Sequence, residues 1–196
     1  MVVVPFLNEV IMSIDINTVN RALLKLGVNA ISSPDEESTR AETVRNIYND
    51  CVDYLLSQYD FYFAQKQVSL AKLDTEPVFG YKNVYKLPTD FIRLVTIDKG
   101  VRYEFIGNTI HSDADNLSIK YVFKNYDPST YSPLFKELLS VRLAFELSPY
   151  IKEDRMFTQQ MYNEEIGKIN NSANRESMQN DDEFLPEDSW VYSRRV

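Results

Sequence analysis

The sequence predicts an α+β fold: a four-helix bundle drawn from both ends of the chain, with an inserted antiparallel β region and extended termini. Two observations predict it. Apolar residues recur every three or four positions before residue 60 and again after residue 132, as they do along one face of a helix. Between these segments apolar and polar residues alternate, and Gly, Asp and Asn separate the runs. Since each helix has one apolar stripe to bury, the economical packing joins both helical segments in a single bundle.

The predicted organisation has five parts. They are an N-terminal arm (1–13), the first half of the bundle (14–60), the β region (61–131), the second half of the bundle (132–174) and an extended C-terminal tail (175–196). The chain has 196 residues, of which 44% are hydrophobic, and this is enough for one domain with a sizeable core. The arm has no basic segment and an early Pro5, which argues against a secretory signal, and the apolar runs are too short for a membrane span. We therefore expect a cytoplasmic origin.

Two helices are predicted in the first half of the bundle. The first begins at Asn17 as its N-cap and ends at Gly27. The second begins at Ser33, where Ser-Pro-Asp-Glu has the form of a capping box with Pro34 at the first helical position. Its apolar stripe consists of Ala41, Val44, Tyr48, Cys51, Leu55 and Tyr59. The spacing of three and four residues predicts a long amphipathic helix.

The β region begins near Phe61, where the period of the apolar residues changes to two. Its predicted strands lie in FYFAQKQVSLAKL, FGYKNVYKLPTDFIRL, VRYEFIG, NTIHS and LSIKYVF. Within the second of these segments Pro88 removes a backbone donor from the ladder, and Asp90 can accept hydrogen bonds from backbone amides. We therefore predict a corner between two strands there, with a new strand from Phe91 to Ile97.

Two further helices are predicted after the β region. The third begins at Ser132, with Pro133 at its first position, and is broken at Pro149. Its apolar stripe consists of Leu134, Leu138, Val141 and Phe145, and that of the fourth helix consists of Tyr162, Ile166, Ile169 and Ala173. From residue 175 the chain is polar and acidic, and we expect such a tail to be disordered on its own.

The scarcity of metal-binding and nucleophilic side chains argues against an enzyme. Cys51 and His111 are the only cysteine and histidine, which excludes zinc sites built from Cys and His and an HExxH helix. His111 is predicted in a polar turn, and the sequence has no GxSxG elbow to supply a serine partner. Asp113 and Asp115 lack the remaining ligands of a calcium loop, and the five glycines form no phosphate-binding motif. We expect no catalytic residues, no cofactor and no metal.

Charge argues against tight binding of nucleic acid. The formal net charge is −8, whereas phosphate binding requires clustered Lys and Arg. The lysines that stand among aromatic residues are predicted to lie on a sheet surface, and they are Lys66, Lys72, Lys82 and Lys86. A small carbohydrate- or nucleotide-binding domain that uses Tyr81, Tyr85 and Tyr103 remains an alternative.

Several short motifs, taken in their order along the chain, resemble those of one known family. The segments that carry the likeness are VNRALLKLGV, YDFYFAQKQVSLAKL, FGYKNVYKLPTDFIRL, LSIKYVFKNYDPSTYSPLF and LLSVRLAFELS. The most specific residues are Phe61, Phe63 and Ala64 in an aromatic-Ala segment, Tyr85, Leu87, Pro88, Asp90 and Arg93 at the corner, and Asp127 and Pro128 before the third helix. Over about residues 16–178 the chain resembles the tail tubular protein A family, the head-to-tail adaptor (connector) proteins of short-tailed bacteriophages.

The resemblance implies a structural virion protein of the phage neck, made in the host cytoplasm and without catalytic residues. It implies a ring of about twelve copies beneath the portal protein, which extends the DNA channel and offers a docking surface to the tail nozzle. Double-stranded DNA would pass through the ring during ejection without sequence-specific binding, and no membrane partner is expected. Another neck or tail-nozzle protein is the alternative within the virion. Two features depart from the family pattern: Phe61 stands where a tryptophan is usual, and residues 1–12 extend beyond the usual start.

The C-terminal tail carries apolar residues spaced along an acidic segment. They are Phe184, Leu185, Trp190, Val191 and Tyr192. This pattern is typical of a segment that folds on binding and places aromatic side chains in pockets of its partner. The resemblance makes the portal protein the expected partner, and the alternative is a solvated tail with Trp190 folded back on its own domain.

Overall fold

The computed structural model describes residues 13–151 together with 156, 159, 162, 163 and 167. The helices are α1 (Ile16–Lys25), α2 (Thr39–Gln58) and α3 (Pro133–Ile151), and the strands are β1 (Gln65–Ser69), β2 (Lys72–Leu73), β3 (Asn83–Lys86), β4 (Phe91–Ile97), β5 (Tyr103–Ile106), β6 (Thr109–Ser112) and β7 (Ser118–Phe123). Two short 3-10 turns, Tyr62–Ala64 and Pro128–Thr130, flank the strands. None of the helices within 13–151 has the apolar length that a bilayer crossing requires.

Helix α1 begins one residue before the predicted cap. The N-cap is Asp15 rather than Asn17, because the Asp15 carboxylate accepts hydrogen bonds from the Asn17 amide (3.1 Å) and from the Thr18 hydroxyl (2.9 Å). The end of the helix was predicted correctly. Gly27 has a positive φ of 71°, which a residue with a Cβ adopts only at a cost, and it stops the helix there.

Helix α2 begins later than the sequence indicated, and the predicted capping box at Ser33 is wrong. The Glu36 carboxylate accepts hydrogen bonds from the amide and the hydroxyl of Ser32, both at 2.8 Å, so it closes a separate turn instead of capping a helix. The observed cap is Ser38, whose hydroxyl accepts a hydrogen bond from the Ala41 amide at 3.3 Å. The predicted stripe from Ala41 to Leu55 is nevertheless buried on one face.

The predicted start of α3 is confirmed. The Ser132 hydroxyl accepts a hydrogen bond from the Phe135 amide (3.2 Å), and Pro133 is the first helical residue. Pro149 does not break the helix, which continues to Ile151. Proline has no amide to donate to the carbonyl four residues earlier, and the Ser148 hydroxyl donates to that Phe145 carbonyl instead, at 2.9 Å.

The prediction of a four-helix bundle from both chain ends is wrong, because the described residues contain three α-helices and two antiparallel sheets. Sheet A contributes to the core that the helices share: Val122 is fully buried in it, and Ile92 and Val95 pack against it. Of the predicted fourth stripe, only Tyr162 is among the described residues. Its hydroxyl accepts a hydrogen bond from Arg142 at 3.2 Å. The rest of that stripe lies outside the described residues.

The seven strands form two antiparallel sheets. Sheet A has the order β1-β7-β4, and sheet B has the order β2-β3-β6-β5. Ile119 and Tyr121 of β7 point into a second core between the sheets, whereas Val122 points into the helical core. This alternation along β7 makes sheet A the wall that both cores share.

Strand β4 follows a different rule, because its pairing with β7 shifts twice. Phe91 pairs with Phe123 and Arg93 with Val122, so Ile92 is an extra residue, and Val95 is extra in the same way. Because of the two bulges, every third side chain of β4, rather than every second, faces the second core. These side chains are Phe91, Leu94 and Ile97. Ile92 and Val95, the extra residues, contact the helical core.

We expect Phe135→Ala to lower the free energy of unfolding by about 3–5 kcal/mol, because it leaves a cavity among fully buried rings. The matched control is Phe79→Ala, since Phe79 is 83% exposed and its truncation should change stability by less than about 0.5 kcal/mol. Urea unfolding of both variants measures the difference. Equal midpoints for the two variants would contradict the packing described above.

Candidate functional site

Except for Tyr85 and Leu87, the motif residues lie in three distant segments that meet where the helices join sheet A. We call this region the junction and define it by residues 60–66, 88–93 and 121–131. Asp60 pairs with Arg93 at 2.5 Å, and Lys66 pairs with Asp90 at 2.8 Å. These contacts tie the end of α2 and the start of β1 to the corner before β4. The structure therefore brings the aromatic-Ala segment, the corner and the Asp-Pro step together in one place.

Four aromatic rings fill the helical side of the junction. The Phe135 ring lies 5.0 Å from each of the Phe61 and Phe63 rings and 4.7 Å from the Tyr131 ring, in edge-to-face arrangements. Phe61 and Phe63 stack at 5.4 Å. Residues Phe61–Ala64 were predicted as the start of a strand, but Tyr62–Ala64 form a 3-10 turn. Phe61 and Phe63 face the same core. The turn also places Ala64 in that core, with no exposed surface.

Asn125 holds this side of the junction together, and sequence reasoning missed it. Its side-chain amide donates to the Phe63 carbonyl and to the Thr130 hydroxyl, both at 3.0 Å. Its side-chain oxygen accepts from the Asp127 amide at 3.1 Å, and its backbone carbonyl accepts from the Tyr131 hydroxyl at 2.9 Å. The one feature of the sequence that could have indicated Asn125 is its position two residues before the Asp-Pro step. Asn125 is buried, and each of these groups would be costly to leave without a partner.

The Asp-Pro step has a local role beside Asn125. The Asp127 carboxylate accepts hydrogen bonds from the amide (3.0 Å) and the hydroxyl (2.7 Å) of Ser129, and these bonds lower the pKa of Asp127. Pro128 is buried as the first residue of the 3-10 turn that leads into α3. The pair is therefore a capped turn that fixes where α3 begins.

The corner is held by contacts to sheet A. The Phe91 amide donates to the Pro88 carbonyl at 3.2 Å and closes the turn. The Asp90 carboxylate accepts hydrogen bonds from Lys66 of β1 (2.8 Å) and from the Tyr121 hydroxyl of β7 (3.0 Å). Asp90 thus connects both other strands of the sheet to the first residue of β4, which is more than the local capping that the sequence suggested.

The pKa values at the corner follow from these contacts. Burial alone would raise the pKa of Asp90, but the hydrogen bonds from Lys66 and Tyr121 and the charge of Lys66 outweigh it, so the pKa lies below 3.8. Burial and the hydrogen bond to Asp90 raise the pKa of Tyr121 to about 12. The pair therefore stays as a charged acceptor and a neutral donor at neutral pH.

Tyr85 and Leu87 lie in the core between the sheets, away from solvent. The Tyr85 side chain is buried, and its hydroxyl donates to the Ala114 carbonyl at 2.5 Å. Its ring is therefore closed to a ligand. The Arg102 guanidinium carbon lies 5.0 Å from the centroid of the Tyr81 ring and covers its face. Tyr103 is partly exposed on β5. The three tyrosines do not form one open face, which argues against the ligand-binding domain weighed above.

A cleft of about 520 Å³ opens beside the corner. It is lined by Ser13, Thr89, Asp90, Lys124, Asn125, Tyr126 and Asp127. Tyr126 donates its hydroxyl to Asp53 of α2 (2.9 Å), and the Lys124 ammonium lies 3.4 Å from the same carboxylate. Burial and the Asp53 carboxylate raise the pKa of Tyr126. Tyr126 and Lys124 thus hold α2 against the segment that leads from β7 to α3.

No catalytic arrangement is found among the described residues. Burial raises the pKa of Cys51 to about 12, so the thiol stays protonated. His111 lies within β6 and pairs with Val84 and Glu104, so the predicted strand in NTIHS is confirmed and the predicted place of His111 in a polar turn is wrong. Within 13–151 and the five further described positions, no three metal-ligating side chains cluster. Asp113 accepts a hydrogen bond from the Lys82 amide at 3.0 Å, which gives it a local structural role.

The predicted lysine surface is confirmed in part. Lys66 lies over the Phe123 ring at 3.7 Å and pairs with Asp90, whereas Lys72, Lys82 and Lys86 are exposed on or beside sheet B. The tail residues Phe184, Leu185, Trp190, Val191 and Tyr192 lie outside the described residues, as does most of the N-terminal arm.

Comparison with known proteins adds no assignment. No protein-family model matches the chain, and no curated protein matches it. The functional argument therefore depends on the residues themselves.

We expect Asp90→Asn to lower the free energy of unfolding by about 1–2 kcal/mol, because it removes a charged acceptor from Lys66 and Tyr121. The control is Tyr121→Phe, alone and combined with Asp90→Asn. If the hydrogen bond between them matters, the double variant should lose less than the sum of the two single losses. A variant that keeps its melting temperature but fails to assemble would instead make the corner a contact site.

The same pair predicts a pH dependence. A carboxyl group whose pKa is lowered by folding adds stability above its unfolded pKa and loses that contribution as pH falls through the folded pKa. Since folding lowers the pKa of Asp90, the loss should occur as pH falls below the ordinary aspartate pKa of about 4. Thermal unfolding from pH 7 to pH 2 should therefore show a smaller decrease for Asp90→Asn than for the wild type.

Proposed function

We propose that this chain is a head-to-tail adaptor of a short-tailed bacteriophage, a structural protein of the virion neck. About twelve copies form a ring beneath the portal protein, extend its DNA channel and dock the tail nozzle. The observation that carries the proposal is the ordered set of motifs from the aromatic-Ala segment to the Asp-Pro step. The segments that carry most of these motifs are joined at the junction, through Asp60 and Arg93, Lys66 and Asp90, and Asn125 and Phe63, although they lie far apart in the sequence.

The charge of the chain supports the proposal. A formal net charge of −8 opposes adhesion to DNA phosphates, which a conduit for double-stranded DNA requires and a DNA-binding protein does not. The four lysines that stand among aromatic residues are divided between the junction, which has Lys66, and sheet B, which has the other three on or beside it. The absence of sequence-specific DNA binding is therefore part of the proposal.

The chemistry of the described residues fits a structural role. The acidic and aromatic side chains at the junction bond to other parts of the same chain, as Asp90 does to Tyr121 and Asp53 does to Tyr126. Such contacts make a rigid block, which suits a subunit that transmits a fixed geometry between a portal and a nozzle. Another neck or tail-nozzle protein is the second candidate, and the place of the ring in the particle distinguishes the two.

We expect the purified protein to be monomeric or heterogeneous alone and to form a ring when its portal protein is added. The reason is that the described residues have a complete core without a partner, so oligomerisation depends on docking. Mass measurement with and without portal tests this. A stable dimer under both conditions would count against a cyclic adaptor.

We assign the C-terminal tail, 175–196, to gripping the portal protein. Deleting residues 179–196 should leave the melting curve of the core nearly unchanged and abolish attachment to the capsid, because the apolar anchors lie in that segment. Trp190 is the only tryptophan, and its emission should shift to the blue when portal is added. Trp190→Phe, which keeps an aromatic ring, is the control for Trp190→Ala in the attachment assay. Infectious particles assembled from the truncated protein would refute the assignment.

A further inference from the structure

The two sheets are joined along one side of the β region, the closed side, and end in unpaired strand edges along the other, the open side. On the closed side β1 runs into β2 with only Leu70 and Ala71 between them. The Leu70 amide donates to Leu117 (2.8 Å), and the Ala71 carbonyl accepts from Lys86 (3.1 Å), so the backbone ladder continues from sheet A to sheet B. On the opposite side β4 ends sheet A and β5 ends sheet B. In the described part of the chain no strand pairs with their outer edges.

The open side is apolar. All four residues of β5 are exposed, and three of them are large and apolar: Tyr103 (38%), Phe105 (41%) and Ile106 (48%). Phe105 lies 6.1 Å from the Phe91 ring of β4, measured between ring centroids, so the two edges face each other across a short gap. An unpaired edge with apolar side chains is a template for another strand.

The described chain begins near the corner that precedes β4. Ser13 lines the same cleft as Thr89 and Asp90, and Asp90 directly precedes β4. The next residues are held in place, because Ile14 packs on the helical core and the Asp15 amide donates to the Tyr48 hydroxyl at 3.1 Å. The described chain therefore begins beside the corner that leads into β4.

The segment before Ser13 has suitable length and chemistry. Residues 2–7 are Val-Val-Val-Pro-Phe-Leu, which is uncharged and rich in β-branched side chains. Twelve residues extend up to about 40 Å, whereas the four residues of β5 span about 13 Å. Pro5 lacks an amide donor, and proline is tolerated in a strand at the edge of a sheet.

We propose that residues 2–7 of the same chain lie along the open side as an added edge strand, pairing with β5 and covering Tyr103, Phe105 and Ile106. This proposal does not depend on the proposed function, because it concerns the isolated chain. The arm would remove the free edge and bury the exposed apolar side chains. A second copy of the chain and the C-terminal tail are the other possible occupants, and the experiment separates them.

The test is amide hydrogen exchange on the isolated full-length protein at low concentration, without portal. Alternate amides of β5 point away from β6 and would pair only with the arm. We expect deletion of residues 2–12 to speed exchange at these amides by about tenfold or more, and the substitution Val3→Asp to speed it several-fold. Adding a peptide of residues 1–12 to the deletion variant should restore the protection, whereas a peptide carrying Val3→Asp should not.

Two controls make the result specific. Val78→Asp places the same charge at a residue that is 94% exposed in the loop before β3, and it should leave exchange in β5 unchanged. Deletion of residues 179–196 should also leave it unchanged, and loss of protection in that variant would assign the open side to the tail. Protection that disappears on dilution would assign it to another copy. The proposal would be overturned by loss of protection in the tail deletion, by loss of protection on dilution, or by equal exchange with and without residues 2–12.

Discussion

The structure depends on the two faces of one three-stranded sheet. Because side chains alternate along β7, Val122 enters the helical core while Ile119 and Tyr121 enter the core between the sheets. Both cores therefore depend on the side chains of this one strand. A change in the register of β7 would exchange the two sets of side chains and disrupt both cores at once.

Much of the fold could be predicted because local signals were strong where packing agreed with them. The stripe of α2, the Ser132–Pro133 start of α3 and the antiparallel strands all follow from spacing and capping preferences. The fourth helix of the bundle could not be excluded in this way. An apolar stripe shows that a helix needs cover, but whether Val122 of a sheet or another helix supplies it is decided by contacts between distant residues.

The junction shows the same limit at the level of single residues. Asp90 was recognised as a corner residue, but its bond to Tyr121 joins positions that are 31 residues apart, and no spacing rule predicts such a pair. Asn125 was missed for the opposite reason. A polar residue in a polar segment gives no sign of burial, although three groups of Asn125 make four hydrogen bonds inside the junction. Polar residues that organise a fold are thus harder to identify from sequence than apolar ones, because their role depends on hydrogen-bond partners that only the folded chain brings near.

The order of strands in sheet A has a consequence for synthesis of the protein. β7 is the middle strand, so β1 and β4 each pair only with the strand that is made last. β1 cannot pair until β7, which begins at residue 118, has left the ribosome. α1 and α2 cannot pack against α3 until still later, because α3 begins at residue 133. Formation of long-range pairs of this kind is slow, and the exposed apolar surface makes the nascent chain susceptible to aggregation. The length of time for which apolar surface stays exposed during translation therefore depends on the position of a single strand in the sheet.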